Sequence, residues 1–197
     1  TRLGMVISND AGVTVTDSGH FAPNFPLSVR NAVLLWQWIQ SGYPLFPGIV
    51  AAALIDCYGP SYFWVPRRKS DQSIEEYNIA VREYKQKTFA KYIGYNDLET
   101  SLNMWNDLTS TIGGIRGSPR ALIAWSRDNS INNKKIRELL LIVEQSVNAA
   151  NRLGYDVQVG PFTTQGVMNA ARPLLLSVYS DMTLIQRRDS TYFSPLT

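Results

Sequence analysis

Apolar positions recur every three to four residues along most of the chain after residue 27, which is typical of amphipathic helices. The pattern predicts helices over residues 28–41, 46–58, 73–94, 97–112, 132–153 and 164–180, and a short helix after Ser118-Pro119. Ser73 and Glu76 form a capping-box pattern, and Asn96 fits the N-cap of the fourth helix. Pro173 predicts a kink or a break in the last helix.

The two ends of the chain lack this periodicity. Residues 1–27 are rich in Gly and Pro and contain one strand-like run at residues 13–16, so they are predicted to form an extended N-terminal arm. The remaining organisation is a helical domain over residues 28–130, a C-terminal helical segment over 131–188 and an extended tail over 189–197. The sequence therefore predicts a mainly α protein with extended arms at both ends.

Composition excludes several classes of site. The 197 residues are 45% hydrophobic and 18% charged, as in an ordinary globular protein. One cysteine, Cys57, and one histidine, His20, cannot form an intramolecular disulfide or the usual zinc site. No glycine-rich phosphate loop is present, so no cofactor is predicted.

The hydropathy of the chain and its first residues indicate where the protein is expected to be found. No apolar run approaches the roughly 20 residues that a membrane span needs. The first residues do not form a signal-peptide pattern. We therefore expect a place in a virion or a cytoplasmic assembly rather than secretion by a signal peptide.

Residues 44–66 combine a helix of small residues, a tight turn and a cluster of aromatic residues. The run Ala-Ala-Leu-Ile-Asp-Cys-Tyr-Gly at residues 52–59 leads into Pro-Ser-Tyr-Phe at residues 60–63. This layout resembles the catalytic-glutamate segment of lysozyme-like peptidoglycan hydrolases, over about residues 27–66. The resemblance implies a compact multi-helix domain with the lysozyme-like fold.

The residue that carries the chemistry in that family is missing here. Pro60 occupies the position of the glutamate, and proline cannot protonate a leaving oxygen as the general acid must. The resemblance therefore leaves no catalytic residue in place, and Asp56, about one helical turn earlier, is the one candidate for a displaced acid. The glycan-binding residues that it implies are Tyr58, Ser61, Tyr62, Phe63 and Trp64.

A basic run follows the aromatic cluster. Arg67, Arg68 and Lys69 are candidate anion-binding residues, because arginines beside aromatic rings can hold single-stranded nucleic acid or sugars. A solvated charged turn beside core aromatics accounts for the same pattern. The net charge of +3 is too small to favour nucleic acid as the main ligand.

Three functional hypotheses follow from the sequence. The first is a non-catalytic structural or assembly protein, such as a bacteriophage virion component, built on a degenerate lysozyme-like domain. Its partners would be neighbouring protein subunits held through the extended termini, with peptidoglycan as a further candidate. The second is an active glycoside hydrolase or transglycosylase that degrades peptidoglycan with a displaced carboxylate. The third is a nucleic-acid-binding module.

Overall fold

The computed structural model describes residues 3–10, 12–57, 63, 67–84, 86–87 and 90–180, together with the backbone of residues 185–186 and 192–193. Helices dominate these residues, which confirms the mainly α class. The chain divides into two compact units. The first consists of Thr1–Ala52, Gln145–Val159 and Gln165–Thr197, and the second of Ala53–Glu144 and Gly160–Thr164.

The first unit begins with a β-hairpin rather than an extended arm. Strand β1 (Val6–Asn9) pairs antiparallel with β2 (Gly12–Val15), in a register that places Val6 opposite Val15. A short helix, α1 (Asp17–Phe21), and one 3-10 turn (Ala22–Asn24) follow. Phe21, Ala22 and Phe25 are buried, so this part of the predicted arm belongs to a core.

Four aromatic rings pack together in the first unit. The ring of Phe21 lies 4.5 Å from that of Phe25, 5.2 Å from that of Trp36 and 6.2 Å from that of Tyr155. Trp36 belongs to α2 (Val29–Gln40), which begins at the predicted Ser28. Rings arranged in this way contribute both buried area and favourable edge contacts. Apolar side chains that were predicted to lie in an extended arm therefore pack in the first unit and anchor the start of the chain there.

Helix α3 (Leu45–Asp56) is apolar and largely buried along its length. Within the first unit, any side chain at Gly48 would lie within 2.8 Å of the Trp38 ring. Trp38 is buried, and its Nε1 donates to the carbonyl of Pro44 at 2.9 Å. The absence of a side chain at Gly48 thus lets the Trp38 ring pack directly against α3.

The described residues of the second unit include the whole of α4 (Ile74–Tyr84), α5 (Ala90–Tyr92), α6 (Asp97–Ile112) and α7 (Pro119–Asp128). The predicted caps are present. Ser73 Oγ accepts from Glu76 N at 3.1 Å and Glu76 Oε2 from Ser73 N at 2.9 Å, while Asn96 Oδ1 accepts from Glu99 N at 2.9 Å. Backbone and side-chain hydrogen bonds from Ser73 lower the pKa of Glu76.

The predicted helix over residues 73–94 is helical over most of its described part. Helix α4 spans Ile74–Tyr84 and α5 spans Ala90–Tyr92, and residues 86–87 between them have a π-helical backbone. Tyr92 of α5 is buried, and its hydroxyl donates to Asp107 of α6 at 2.7 Å.

Two long helices complete the fold. Helix α8 (Asn133–Arg152) matches its predicted bounds within a residue, and α9 (Thr164–Val178) contains Pro173 without ending there. Strand β3 (Ile185–Gln186), in the predicted C-terminal helical segment, pairs antiparallel with β4 (Tyr192–Phe193) in the predicted extended tail. None of these observations bears on the lysozyme-like fold, which stays a prediction.

Candidate functional site

The residues singled out by the lysozyme-like resemblance are only partly within the described chain. Asp56 is the last residue of α3 and is half-buried. Of the glycan-binding candidates, Tyr58, Ser61, Tyr62 and Trp64 lie outside the described residues. Phe63 is buried, forms an isolated β-bridge with Ile131, and its ring lies 6.1 Å from that of Tyr92. The catalytic and glycan-binding assignments stay predictions.

The basic run is solvent-exposed. Arg67, Arg68 and Lys69 all lie on the surface just before α4. The guanidinium Nε of Arg68 donates to the Gln72 carbonyl at 3.0 Å, and the Lys69 amide donates to the Gln72 side chain at 3.3 Å. These bonds order the turn but leave most of the donors of both side chains for water or an anion. The anion-binding hypothesis stays a prediction.

One polar cluster, which the sequence did not reveal, lies in the second unit around Asp107 of α6. Its Oδ2 atom accepts from the Tyr92 hydroxyl at 2.7 Å, from Trp125 Nε1 at 2.7 Å and from Lys91 Nζ at 3.0 Å. Asn129 Oδ1 lies 2.8 Å from the same hydroxyl and 3.0 Å from the same ammonium. Charge-assisted bonds of this kind are about twice as strong as neutral ones.

The electrostatics of this cluster keep Asp107 ionised. Burial raises the pKa of its carboxyl, but hydrogen bonds from Tyr92, Trp125 and Lys91, together with the Lys91 charge, outweigh burial and lower the pKa overall. Burial first, and then the bond and charge of Asp107, raise the pKa of Tyr92. The Tyr92 hydroxyl thus stays protonated beside an ionised carboxylate, so the pair acts as a fixed structural link rather than as an acid–base pair.

An open cleft of about 710 Å³ lies between α4 and α7 in the second unit. Four residues of the α4 side line one wall and four residues of the α7 side line the other. The full lining is Ala80, Glu83, Tyr84, Lys87, Ile123, Ser126, Arg127, Ser130, Ile131 and Asn133. A volume of this size falls within the range of small-ligand and peptide sites.

Tyr84 is the unusual residue of this cleft. It is 9% exposed, and its hydroxyl has no hydrogen-bond partner in the described part of the chain. Burial raises the pKa of Tyr84 to about 12, so the hydroxyl is a neutral donor at physiological pH. A buried hydroxyl without a partner costs roughly 1–3 kcal/mol relative to one that is bonded.

The β1–β2 hairpin presents a second surface, in the first unit. Strand pairing places Val6, Val13 and Val15 on one face and Ile7 with Thr14 on the other. Val13 is 72% exposed, Val15 45% and Ile7 57%. Only one residue between Leu3 and Val15 is charged, namely Asp10. We call the surface formed by Val6, Val13 and Val15 the valine face.

The base of the hairpin is fixed to α1. Thr16 N donates to the Met5 carbonyl at 2.9 Å, and the Thr16 hydroxyl donates to the Gly4 carbonyl at 2.7 Å. The same hydroxyl oxygen accepts from Gly19 N at 3.2 Å, which caps α1. A Cβ at Gly19 would collide with the Met5 carbonyl oxygen. The valine face is therefore carried on an anchored element.

The described residues contain no group of three or more His, Cys, Asp and Glu side chains arranged to hold a metal ion. No helix among them combines the length and the apolar character needed to cross a membrane.

The sequence indicated part of the hairpin but gave no indication of the Asp107 cluster. The run at residues 13–16 indicated a strand, but nothing marked its pairing with residues 6–9. The Asp107 cluster has no local signal, since its donors come from residues 15 or more positions away along the chain.

Comparisons with known proteins give one distant relative. An uncharacterized protein of Acanthamoeba polyphaga mimivirus is 22% identical over 162 residues, which are 80% of this chain and 21% of that protein. The chain therefore spans about a fifth of the length of the relative. No protein-family model matches the chain.

Proposed function

We propose that this chain is a non-catalytic interaction domain that assembles with a neighbouring copy of itself through the valine face. The observation that carries the proposal is the exposure of Val13 and Val15 on one side of an anchored hairpin. Exposed β-branched side chains on one strand face are costly in water and are covered when proteins associate.

Charge supports a protein partner at this surface. Between Leu3 and Val15 the chain has no Lys or Arg, so the hairpin offers nothing to neutralise phosphates. A like surface on a second copy would meet almost no charge repulsion. Homo-oligomers built on a two-fold axis use such a self-complementary patch.

The setting that we propose is a viral assembly. Support comes from the mimivirus protein, which is similar to four-fifths of this chain. The assembly hypothesis keeps the subunit partner expected from the sequence and places the contact on a hairpin in place of an extended arm.

Sedimentation equilibrium over a wide range of concentrations tests the proposal. The chain should associate, and Val13→Lys should weaken association by about tenfold or more, because burying a valine contributes about 1.5 kcal/mol or more. Thr14→Lys is the matched control, since it adds the same charge to the same strand on the opposite face. A chain that stays monomeric throughout, or equal losses in the two variants, would overturn the proposal.

A further inference from the structure

One segment of the second unit is strongly basic. Residues 113–137 contain six Lys and Arg and one Asp, so their net charge is +5, whereas the whole chain carries +3. The rest of the chain is therefore net negative. Five of the six cations are exposed, and the sixth, Lys135, is half-buried. A local excess of charge creates a positive field that the net charge of the chain conceals.

Four of these cations lie in pairs on two helices. Arg120 and Arg127 are seven residues apart within α7, so they share one face and are separated by about 10 Å along the axis. Lys134 and Arg137 are three residues apart within α8, which makes them neighbours on the surface of that helix.

The two pairs meet where the helices join. Asn133 Nδ2, at the start of α8, donates to Ser126 Oγ, in the last turn of α7, at 3.1 Å. Arg127 and Asn133 also line the same cleft. The cations therefore continue from one helix to the next. We call this set the basic ridge, which consists of Arg120, Arg127, Lys134 and Arg137.

The nearby acids leave much of this charge unpaired. Three acids each pair with one cation of the segment: Asp128 with Arg127, Glu138 with Lys135 and Glu144 with Arg116. Within the described part of the chain, Arg120, Lys134 and Arg137 have no ion pair. The first turns of α7 and α8 contain no acid either. These three cations are therefore available to an anionic partner.

The neutral residues of the segment favour nucleic acid over an acidic protein. Ile123 is the one large apolar side chain of residues 113–137 that is exposed, and protein interfaces need an apolar core. Ser and Asn residues lie between the cations instead. Arg, Lys, Ser and Asn are the side chains that contact sugar and phosphate in protein complexes with nucleic acid.

The aromatic content of the segment favours a duplex over a single strand. Proteins that hold single strands stack the bases on exposed aromatic rings. Trp125 is the one aromatic residue of residues 113–137, and it is buried, with its Nε1 donating to Asp107 at 2.7 Å. The segment thus offers cations for phosphates and no ring for bases.

We propose that the basic ridge binds the phosphate backbone of double-stranded nucleic acid without preference for sequence. The arginines bind phosphate oxygens through their guanidinium groups, and Lys134 adds a point charge. The ridge lies in the second unit, whereas the valine face lies in the first, so the two contacts are separate.

Fluorescence anisotropy with labelled DNA and RNA duplexes of one sequence tests the ridge on the full chain. Three cations without ion pairs predict that the logarithm of the affinity falls with the logarithm of the salt concentration with a slope of about −3. The double variant Arg120→Gln with Arg137→Gln should bring that slope about 2 closer to zero and weaken binding equally on duplexes of different sequence. Binding to both duplexes, or to one of them, with this slope identifies the source of the phosphates.

The matched control is Arg82→Gln with Arg152→Gln, which removes two exposed helical arginines outside the ridge and should leave the slope nearly unchanged. Both double variants should melt close to the native chain, because they change surface residues. No binding of either duplex at low salt, equal losses in the two double variants, or tighter binding of a single strand would overturn the proposal. Displacement of the duplex by polyglutamate as readily as by unlabelled duplex would overturn it in favour of an acidic protein. None of these results would alter the sedimentation test.

Discussion

Ser130 adopts a backbone conformation that L-residues rarely take, with φ at 50°. It follows the last turn of α7, where its N–H donates to the Arg127 carbonyl at 3.2 Å and the Ile131 N–H donates to the Ser126 carbonyl at 2.8 Å. These two bonds form a Schellman motif, in which the left-handed position is most often glycine. The buried Ile131 supplies the apolar contact that accompanies the motif.

Ser130→Gly should therefore stabilise the protein by about 0.5–1 kcal/mol, because glycine adopts the left-handed region without a Cβ penalty. For a chain of this size, the melting temperature should rise by a few degrees. Ser110→Gly, in the exposed interior of α6, is the control and should lower the melting temperature. A fall for Ser130→Gly in thermal unfolding would contradict the role of the motif.

Sequence predicted the residue-scale features that depend on near neighbours. Ser73 and Glu76, Asn96, and Ser118 with Pro119 lie where the capping rules place them. Asp107 could not be predicted, because nothing local distinguishes it from a solvated acid on a helix. Its identity as a hydrogen-bond centre arises only after α5 and α7 have packed on α6.

At the scale of elements, the Asp107 cluster joins three helices of the second unit. Lys91 and Tyr92 belong to α5, Asp107 to α6 and Trp125 to α7. Asn129 Nδ2 also donates to the Trp125 carbonyl at 2.9 Å, which links the end of α7 to the same group. Because α5 has only three residues, these bonds contribute a large share of what holds it in place.

Stability should depend on the ionisation of Asp107. Its pKa is lower in the folded protein than the unfolded value of about 3.9, so its contribution is complete above about pH 5 and is lost as the pH falls through the folded pKa. Asp107→Asn should cost about 2–3 kcal/mol at pH 7, since a neutral amide removes the charge that strengthens the three bonds from Lys91, Tyr92 and Trp125. Urea unfolding at several pH values measures both effects.

The matched control for this experiment is Asp71→Asn, which changes an exposed acid in a turn. It should leave the free energy of unfolding nearly unchanged at pH 7. If Asp107→Asn kept the full acid sensitivity of the native chain below pH 4, the carboxylate would not be the group responsible.

The sequence predicted the long helices and missed the hairpin. The bounds of α6 and α8 follow from periodicity and caps. The hairpin gave no comparable signal. Its strands have four residues each, and their alternation is weak because both faces are exposed.

The whole molecule carries a small positive charge, +3, with an isoelectric point near 9.0. Charges are sparse on the hairpin and concentrated elsewhere, so the proposed contact between copies depends on apolar burial. The small net charge predicted that nucleic acid is not the main ligand. It could not locate a binding surface, since exposure is a property of the folded chain.

Salt should separate apolar association from nucleic-acid binding. Association through the valine face should stay constant or strengthen as salt rises, because screening removes repulsion between copies with the same net charge. Binding to nucleic acid would instead weaken steeply with salt. Sedimentation at low and high salt, alongside a mobility shift with single-stranded DNA, measures both. Association that disappears at high salt would count against the valine face.

Thr16 has a consequence for the order of events during folding. A single side chain closes the hairpin onto Gly4 and also caps the first turn of α1 at Gly19. Each of these bonds holds the Thr16 hydroxyl in the position that the other bond needs, so the two elements should form and open together as one cooperative unit. The amides of β1, β2 and the first turn of α1 should then share a single opening rate in hydrogen exchange.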